Sequence, residues 1–481
     1  MTQLAETTTP RQLYVGGQWS PVDATFEVVD PATGEAIAAV ADADAAHAIQ
    51  ALDAAVAAQP AWAATAPRVR AETLRRAYQL MVDRTDELAG LATAEMGRPV
   101  AESRAEVAYA ADFLRWFAEE AVRVGGDYRT APGGDYRILT VRQPVGPVYL
   151  VTPWNFPLAM VTRKIGPALA AGCTVVLKPA EQTPLSALAL AALLAEAGVP
   201  DGVVNVIPTS RPAPVTEALL ADPRLRKLSF TGSTEVGRLL LAQSARNVLR
   251  VSMELGGNAP FLVFDDADLP AAVDGALLAK MRNAGQSCVA ANRFIVHESV
   301  ATQFAAALRE RMAALRTGPG LDPRSQVGPL IDAAARQRIA AAVADAEAHG
   351  ATVTLGGSPA AGAGYFFPPT VVTGVSANDT LATTEIFGPV AAIASYPDED
   401  SMIAAANAST AGLVAFAYTR DLARAVRVGE ALEVGMVGVN RGLVSNAAAP
   451  FGGVKQSGLG REGGAQGIDE YLELKYLAVQ V

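Results

Sequence analysis

Cys288 is one of two cysteines in a 481-residue chain, and the residues before it, Asn283-Ala284-Gly285-Gln286-Ser287, are those of a polar loop. A thiol in such a loop suits a nucleophile, with a buried inert thiol as the alternative. Glu254, in Met253-Glu254-Leu255-Gly256-Gly257-Asn258, lies upstream and offers a carboxylate that can take a proton from water. Asn155 stands between Pro153 and Pro157, which stiffen the backbone around a neutral amide donor. Such a donor suits a developing oxyanion, although a turn hydrogen bond is the commoner role of a lone Asn. His47, His297 and His349 fall outside these motifs, so a Cys-His or Ser-His hydrolase lacks its base. No Cys/His cluster supports a metal site. Cys173, just before an apolar run, reads as a small buried hydrophobe.

These residues need a scaffold. Helical patterns cover about 45–58, 69–96 and 101–122, followed by a Gly-punctuated hairpin over 125–142. From Val145 the pattern becomes strand–loop–helix, with strands at Val148–Val151, Thr174–Leu177, Val203–Ile207 and Lys227–Phe230 and a helix from Pro157 to about Ala171. Strands alternating with helices imply a doubly wound parallel sheet, which binds ligands at the carboxyl ends of its strands. A second α/β pattern runs from Pro260 to about Val439. The tail, Tyr471–Val481, reads as a strand that needs a sheet edge, in this chain or in a partner subunit.

Two strand ends invite a nucleotide. Gly232-Ser233-Thr234-Glu235-Val236-Gly237 follows a strand and opens a helix, where backbone N–H groups bind phosphate oxygens. It lacks the G-x-G-x-x-G spacing, and a plain turn with Ser233 as N-cap fits equally. Lys178 and Glu181, in Lys178-Pro179-Ala180-Glu181, can hydrogen-bond ribose hydroxyls, or form a solvated charge pair.

The length suggests roughly three domains. A formal net charge of −10 argues against nucleic acid or an anionic membrane as partner. Two cysteines make no disulfide framework, residues 1–19 show no secretory signal, and no apolar run is long enough to span a bilayer. The expectation is a cytoplasmic protein.

Trp154-Asn155-Phe156-Pro157, Lys178-Pro179-Ala180-Glu181, Phe230-Thr231-Gly232-Ser233-Thr234, Glu254-Leu255-Gly256-Gly257, Gly285-Gln286-Ser287-Cys288 and Glu385-Ile386-Phe387-Gly388-Pro389 stand in the order found in NAD(P)-dependent aldehyde dehydrogenases. The chain resembles that family from about Tyr14 to Leu477. The resemblance implies an α/β architecture. Its doubly wound parallel-sheet cofactor domain would be residues 9–124 and 143–255, its α/β catalytic domain 256–445, and its small β bridging and oligomerisation element 125–142 and 464–481. A homo-oligomer, dimer or tetramer, is implied with it.

The resemblance also implies roles. Cys288 attacks an aldehyde carbon, Asn155 and the Cys288 backbone N–H hold the oxyanion, hydride leaves for the nicotinamide, and Glu254 activates the water that hydrolyses the thioester. Cofactor contacts are implied for Thr152, Pro153, Trp154, Lys178, Ala180, Glu181, Gly232, Ser233, Leu255, Glu385 and Phe387. Of these, Lys178 and Glu181 would take the adenosine ribose, Ser233 the pyrophosphate, and Glu385 the nicotinamide ribose with Phe387 beside it. A carboxylate at Glu181 repels a 2′-phosphate, so NAD is expected as the preferred cofactor, with NADP tolerated through Lys178.

The run Arg282 to Arg293, with Arg163 and Ser445, is similar to the branch that acts on succinate semialdehyde. Two arginines and a hydroxyl can clamp a carboxylate by charge-assisted hydrogen bonds. Surface or helix-end arginines are the plain alternative. Glutarate semialdehyde fits the same clamp, since one methylene discriminates by only about 1–3 kcal/mol. A neutral aliphatic aldehyde, and a thiol esterase without redox chemistry, are the further alternatives. Ala290 stands where many members of this branch carry a second cysteine, so a disulfide switch with Cys288 is not expected.

Overall fold

The computed structural model describes residues 9–480. The signal-free reading of residues 1–8 and the last residue of the expected terminal strand, Val481, lie outside them.

The first sheet has eight strands, in the order Gln18–Ser20, Leu13–Val15, Val204–Val206, Val175–Lys178, Val148–Val151, Lys227–Thr231, Arg250–Glu254 and Gly458–Leu459. The central five are parallel, and the additions at both edges are antiparallel. All residues of Val148–Val151 and Val175–Lys178 are buried, as expected of short apolar strands covered on both faces. From Val148–Val151 the chain winds outward through Val175–Lys178 to Val204–Val206, then returns to the other side at Lys227–Thr231. The strand order therefore reverses between Val148–Val151 and Lys227–Thr231. A crevice opens at the carboxyl ends of such a pair because the following chain segments diverge.

The second sheet has seven strands, with Ala259–Val263 beside Ala291–His297 near its middle. Six are parallel, and Thr352–Leu355 closes one edge antiparallel. Its core is aromatic: Phe261 stacks on Tyr418 with ring centroids 5.0 Å apart and meets Phe294 at 5.2 Å. Aromatic pairs at these spacings add to the burial energy. The first sheet ends at Glu254 and the second begins at Ala259, so Leu255 to Asn258 joins them in four residues.

Asp127–Thr130 and Tyr136–Pro144 form a hairpin, and the tail strand Leu472–Gln480 pairs along its whole length with Tyr136–Pro144. The edge that the tail requires is thus present within the chain. Leu474, Tyr476 and Val479 on this strand remain exposed.

The structure departs from the sequence reading in places. The helix expected over 69–96 is two, Pro67–Asp83 and Thr85–Met96, broken at Arg84. There the Thr85 hydroxyl donates to the Val82 carbonyl, and the Arg84 guanidinium is drawn to Glu196 at 2.7 Å. Local side-chain bonds of this kind compete with a continuous helix. The helix expected to stop near Ala58 continues to Ala64 through Pro60.

Candidate active site

Cys288 follows a strained loop. Asn283 and Ala284 have φ of 55° and 52°, and Gly285 has φ of 74°. Left-handed backbone costs an L-residue about 1–2 kcal/mol, so the surroundings must hold it. Glu102 accepts the Asn283 N–H at 2.7 Å, and the Asn283 side-chain amide donates to the Gln286 and Asn155 carbonyls, each at 3.0 Å. Gln286 in turn donates to the Pro329 carbonyl at 3.2 Å and accepts the Ile331 N–H at 2.9 Å. Gly285 packs against the Gly388 carbonyl so closely that a Cβ has no room. The sequence reading missed Asn283, Gln286 and Glu102, because their partners are distant in the chain.

Cys288 keeps an accessible face although its surroundings are densely packed. Burial pushes its thiol up to about 12, opposed by the positive charges of Arg163 and Arg282. Asn155 is buried just after the strand Val148–Val151, and its Nδ2 donates to the Gln286 carbonyl at 3.3 Å. Asn155 and the cysteine loop are therefore in direct contact. Glu254 is the last residue of its strand and fully enclosed, with Oε2 lacking any hydrogen-bond partner. Burial, helped by the nearby Glu462 charge, holds the Glu254 carboxyl well above the usual range, against Arg163, Lys164 and Arg461. Gly257 packs directly on the Cys288 carbonyl. The Gly-Gly after Glu254 thus lets the thiol loop approach the joint between the two sheets.

A cavity of about 270 Å³ opens at the switch point of the first sheet and reaches Cys288. Pro153, Trp154, Gly232, Ser233 and Leu255 wall it on one side, and Glu385 and Phe387 on the other. Trp154 and Phe387 meet edge to face with ring centroids 5.4 Å apart. Ser233 caps the helix Thr234–Ser244, accepting the Val236 N–H at 3.3 Å. Thr231 Oγ1, also on this wall, is buried without a partner. Glu385 accepts the Gly257 N–H at 3.1 Å, and burial pushes its carboxyl up to about 7. A Cβ on Gly256 would come within 2.8 Å of Glu385 Oε2. Thr152, Lys178, Ala180 and Glu181 lie beyond this cavity, along the neighbouring strand ends. The Thr152 N–H donates to the Lys178 carbonyl at 3.2 Å, Ala180 is buried, and Lys178 Nζ sits 3.5 Å from the half-exposed Glu181. Burial lowers the Lys178 ammonium, and Glu181 opposes that.

A larger cavity, about 820 Å³, brings Arg282 and Ser445 to one wall together with Tyr109 and Phe156. The Phe156 ring lies 4.9 Å from the Arg282 guanidinium and 5.1 Å from that of Arg98. The Tyr109 hydroxyl is buried beside Ser445. Arg163 does not line this cavity. It is buried behind it, 2.8 Å from Glu462 and over the Phe451 ring at 3.8 Å, with Nη2 left without an acceptor. The expected pair of clamp arginines is therefore unequal: one on the wall, one tied to an internal carboxylate. Lys164 shares that carboxylate at 2.6 Å and donates to Ser229 at 2.9 Å. Glu462 was missed because nothing in its local sequence marks a partner so far upstream. Tyr109 was covered by a helix assignment that left its face open.

His47 caps a helix start with Asp44, and His297 and His349 lie in none of these walls. Cys173 is buried and its thiol donates to the Tyr471 carbonyl at 3.4 Å. Both cysteines are free. Among the described residues, no group of three or more His, Cys, Asp or Glu could hold a metal ion. No described helix is long and apolar enough to cross a membrane.

A thiol, a side-chain amide and a carboxylate near a switch-point crevice are groups that can in principle oxidise a carbonyl through a covalent thiol adduct. The sequence model of the aldehyde dehydrogenase family matches residues 19–477. A succinate-semialdehyde dehydrogenase of Paenarthrobacter nicotinovorans is 56% identical over 92% of this chain and 98% of its own. A glutarate-semialdehyde dehydrogenase of Pseudomonas aeruginosa is 52% identical over 98% and 97%. An Escherichia coli succinate-semialdehyde dehydrogenase named for NADP(+) is 50% identical over 98% of each chain. The crystal structure of a succinate-semialdehyde dehydrogenase from Burkholderia pseudomallei superposes with a TM-score of 0.98, at 50% identity and 99% coverage of both chains. With the family's pattern running almost end to end and half or more of the residues shared with such relatives, this chain belongs to the aldehyde dehydrogenase family.

Proposed function

We propose that this NAD(P)-dependent aldehyde dehydrogenase oxidises succinate semialdehyde to succinate. The observation that carries the substrate is the wall of the larger cavity. Arg282 and the neighbouring hydroxyls of Ser445 and Tyr109 line one space, and Arg163, outside that lining, has Nη2 without an acceptor. Buried donors without acceptors are costly, and a carboxylate is the group that satisfies several at once.

Cys288 is the nucleophile, attacking as thiolate with Arg163 and Arg282 stabilising the charge. The Asn155 amide and the Cys288 backbone N–H receive the oxyanion. Glu254 takes a proton from the water that opens the thioester, and its enclosed carboxyl is a strong base once ionised.

The smaller cavity suits the nicotinamide end of a dinucleotide. Its helix N-terminus at Gly232-Ser233 suits a pyrophosphate, the unpartnered Thr231 hydroxyl offers a donor, and Glu385 can accept from a ribose hydroxyl. When bound, the dinucleotide supplies the two-electron acceptor. Trp154 and Phe387 would flank the nicotinamide, with Pro153 and Leu255 as apolar wall. Thr152, Lys178, Ala180 and Glu181 would carry the adenosine end. Glu181 beside Lys178 favours NAD, because a 2′-phosphate would meet the carboxylate. NADP is the second reading, favoured by the Lys178 cation and by the cofactor in the name of the Escherichia coli relative.

Glutarate semialdehyde is the second substrate reading, supported by the Pseudomonas aeruginosa relative and the roomy cavity. Residues 9–124 with 143–255 serve as cofactor domain, 256–445 as catalytic domain, and 125–142 with 464–481 as bridging element in a homo-oligomer. The exposed Leu474, Tyr476 and Val479 favour burial against another copy. A cytoplasmic setting agrees with two free cysteines.

The test is Arg282→Ala. The expected result is a KM for succinate semialdehyde raised about tenfold or more, with the KM for butanal little changed. An equal effect on both aldehydes removes Arg282 as the carboxylate reader.

A further inference from the structure

The helix Val100–Glu120 carries Glu102, Glu106 and Tyr109 at i, i+4 and i+7, a spacing that aligns side chains on one face. Each reaches a different part of the catalytic apparatus. Glu106 is buried in an ion pair with Arg98, and its Oε1 accepts the Leu158 and Ala159 N–H groups, each at 2.9 Å. It thereby caps the helix that follows Asn155. Tyr109 reaches the wall shared by Arg282 and Ser445. Glu102 Oε2 accepts the N–H of Asn283 at 2.7 Å.

Asn283 begins the left-handed stretch before Cys288. Such a conformation leaves a backbone N–H outside any regular ladder, and a carboxylate is a strong acceptor for it. With its backbone fixed, the Asn283 side chain spans the Asn155 and Gln286 carbonyls at 3.0 Å each. The two segments that bear the oxyanion donors are thus joined through one residue, and a carboxylate from a third segment holds that residue.

We propose that Glu102 is a positioning residue which, through Asn283, sets the spacing between the Asn155 amide and the Cys288 backbone N–H. This rests on reading those two groups as the oxyanion donors and Cys288 as the nucleophile. Glu102 touches neither nucleophile nor oxyanion. It faces Arg98 and Arg282 as well as Asn283, and it lines the larger cavity. Replacing it by Gln keeps an acceptor for the Asn283 N–H while removing the charge, so geometry and charge separate.

Acylation by p-nitrophenyl acetate tests this, because a neutral ester needs the nucleophile and the oxyanion donors but no dinucleotide. Release of p-nitrophenol is followed by stopped flow for the native protein, Glu102→Ala, Glu102→Gln, Asn283→Gly and Cys288→Ala. Glu102→Ala is expected to acylate about tenfold or more slowly, since small misplacements of reacting groups are costly. Glu102→Gln is expected to return to within about threefold of native. Asn283→Gly keeps a residue suited to the left-handed backbone but loses the bridge, and it too is expected to acylate about tenfold or more slowly. NAD affinity is expected to stay native in all three. Native-like acylation by either Glu102→Ala or Asn283→Gly overturns the proposal, as does Glu102→Gln acylating as slowly as Glu102→Ala. Undiminished release by Cys288→Ala instead overturns the nucleophile reading on which it rests.

Discussion

The side-chain amide of Asn155 donates to the main-chain carbonyl of Gln286 at 3.3 Å, which ties the segment after a first-sheet strand to the loop that presents Cys288. Asn155 and Cys288 come from segments that belong to different sheets, and this contact, with the Asn283 bridge, fixes one against the other. Asn155→Ala is expected to cost on the order of 3 kcal/mol of transition-state stabilisation, a loss of more than about 100-fold in kcat/KM. Steady-state kinetics checks it, and a loss under about tenfold would remove Asn155 from that role.

The Cys288 thiol is pushed up to about 12, so at pH 7 to 10 the unliganded protein holds almost all of it protonated. A raised pKa means that the thiolate fraction grows about tenfold per pH unit across this window. Alkylation of Cys288 by iodoacetamide, read by mass spectrometry, is expected to accelerate steadily through pH 10. A plateau near pH 8 would show that the neighbouring arginines outweigh burial.

Glu254 must be ionised to act as base, and its pKa lies well above the ordinary carboxyl value of 4.5. The proton is therefore retained to higher pH, and deacylation falls as pH drops through that raised pKa. Glu254→Gln is expected to give one burst of reduced dinucleotide per active site and then almost no turnover. An unchanged steady-state rate in rapid-mixing experiments would exclude Glu254 as the base.

Arg163 and Arg282 are expected to part company in stability. Arg163→Ala leaves Glu462 with one cation fewer in a closed environment, and breaking buried pairs costs about 3–5 kcal/mol. Arg282 sits on a cavity wall with no carboxylate within ion-pair distance. Thermal unfolding is expected to show a clear drop in Tm for Arg163→Ala and little change for Arg282→Ala. Equal Tm values would mean that the Glu462 pair contributes nothing measurable.

Much of the scaffold was legible because short apolar runs, such as Val148–Val151, alternate with helical patterns and are too short for helices of their own. The strand after Cys173 was read one residue early, at Thr174–Leu177 instead of Val175–Lys178, because Lys178 looks like a strand end while its aliphatic stem packs within the sheet. The candidate triplet of Cys288, Asn155 and Glu254 was readable as a candidate because these residues stood in polar or Gly- and Pro-bordered surroundings. What holds that triplet was not. Asn283 is of a type that tolerates left-handed backbone, but Ala284 carries no local mark of it, and Glu102 meets Asn283 across 181 positions. Arg163 was recognisable as a candidate, but its capture by Glu462 arises only when the C-terminal segment folds back over the first sheet.

The central claim is that a carboxylate-bearing aldehyde is read on one side of Cys288 and NAD on the other. Initial rates of nicotinamide reduction with succinate semialdehyde, glutarate semialdehyde and butanal, each with NAD and with NADP, test it most directly. The highest kcat/KM is expected for succinate semialdehyde with NAD, with a loss of at least about tenfold for butanal. Equal or better use of butanal would contradict the carboxylate pocket, and a preference for NADP would contradict the role given to Glu181.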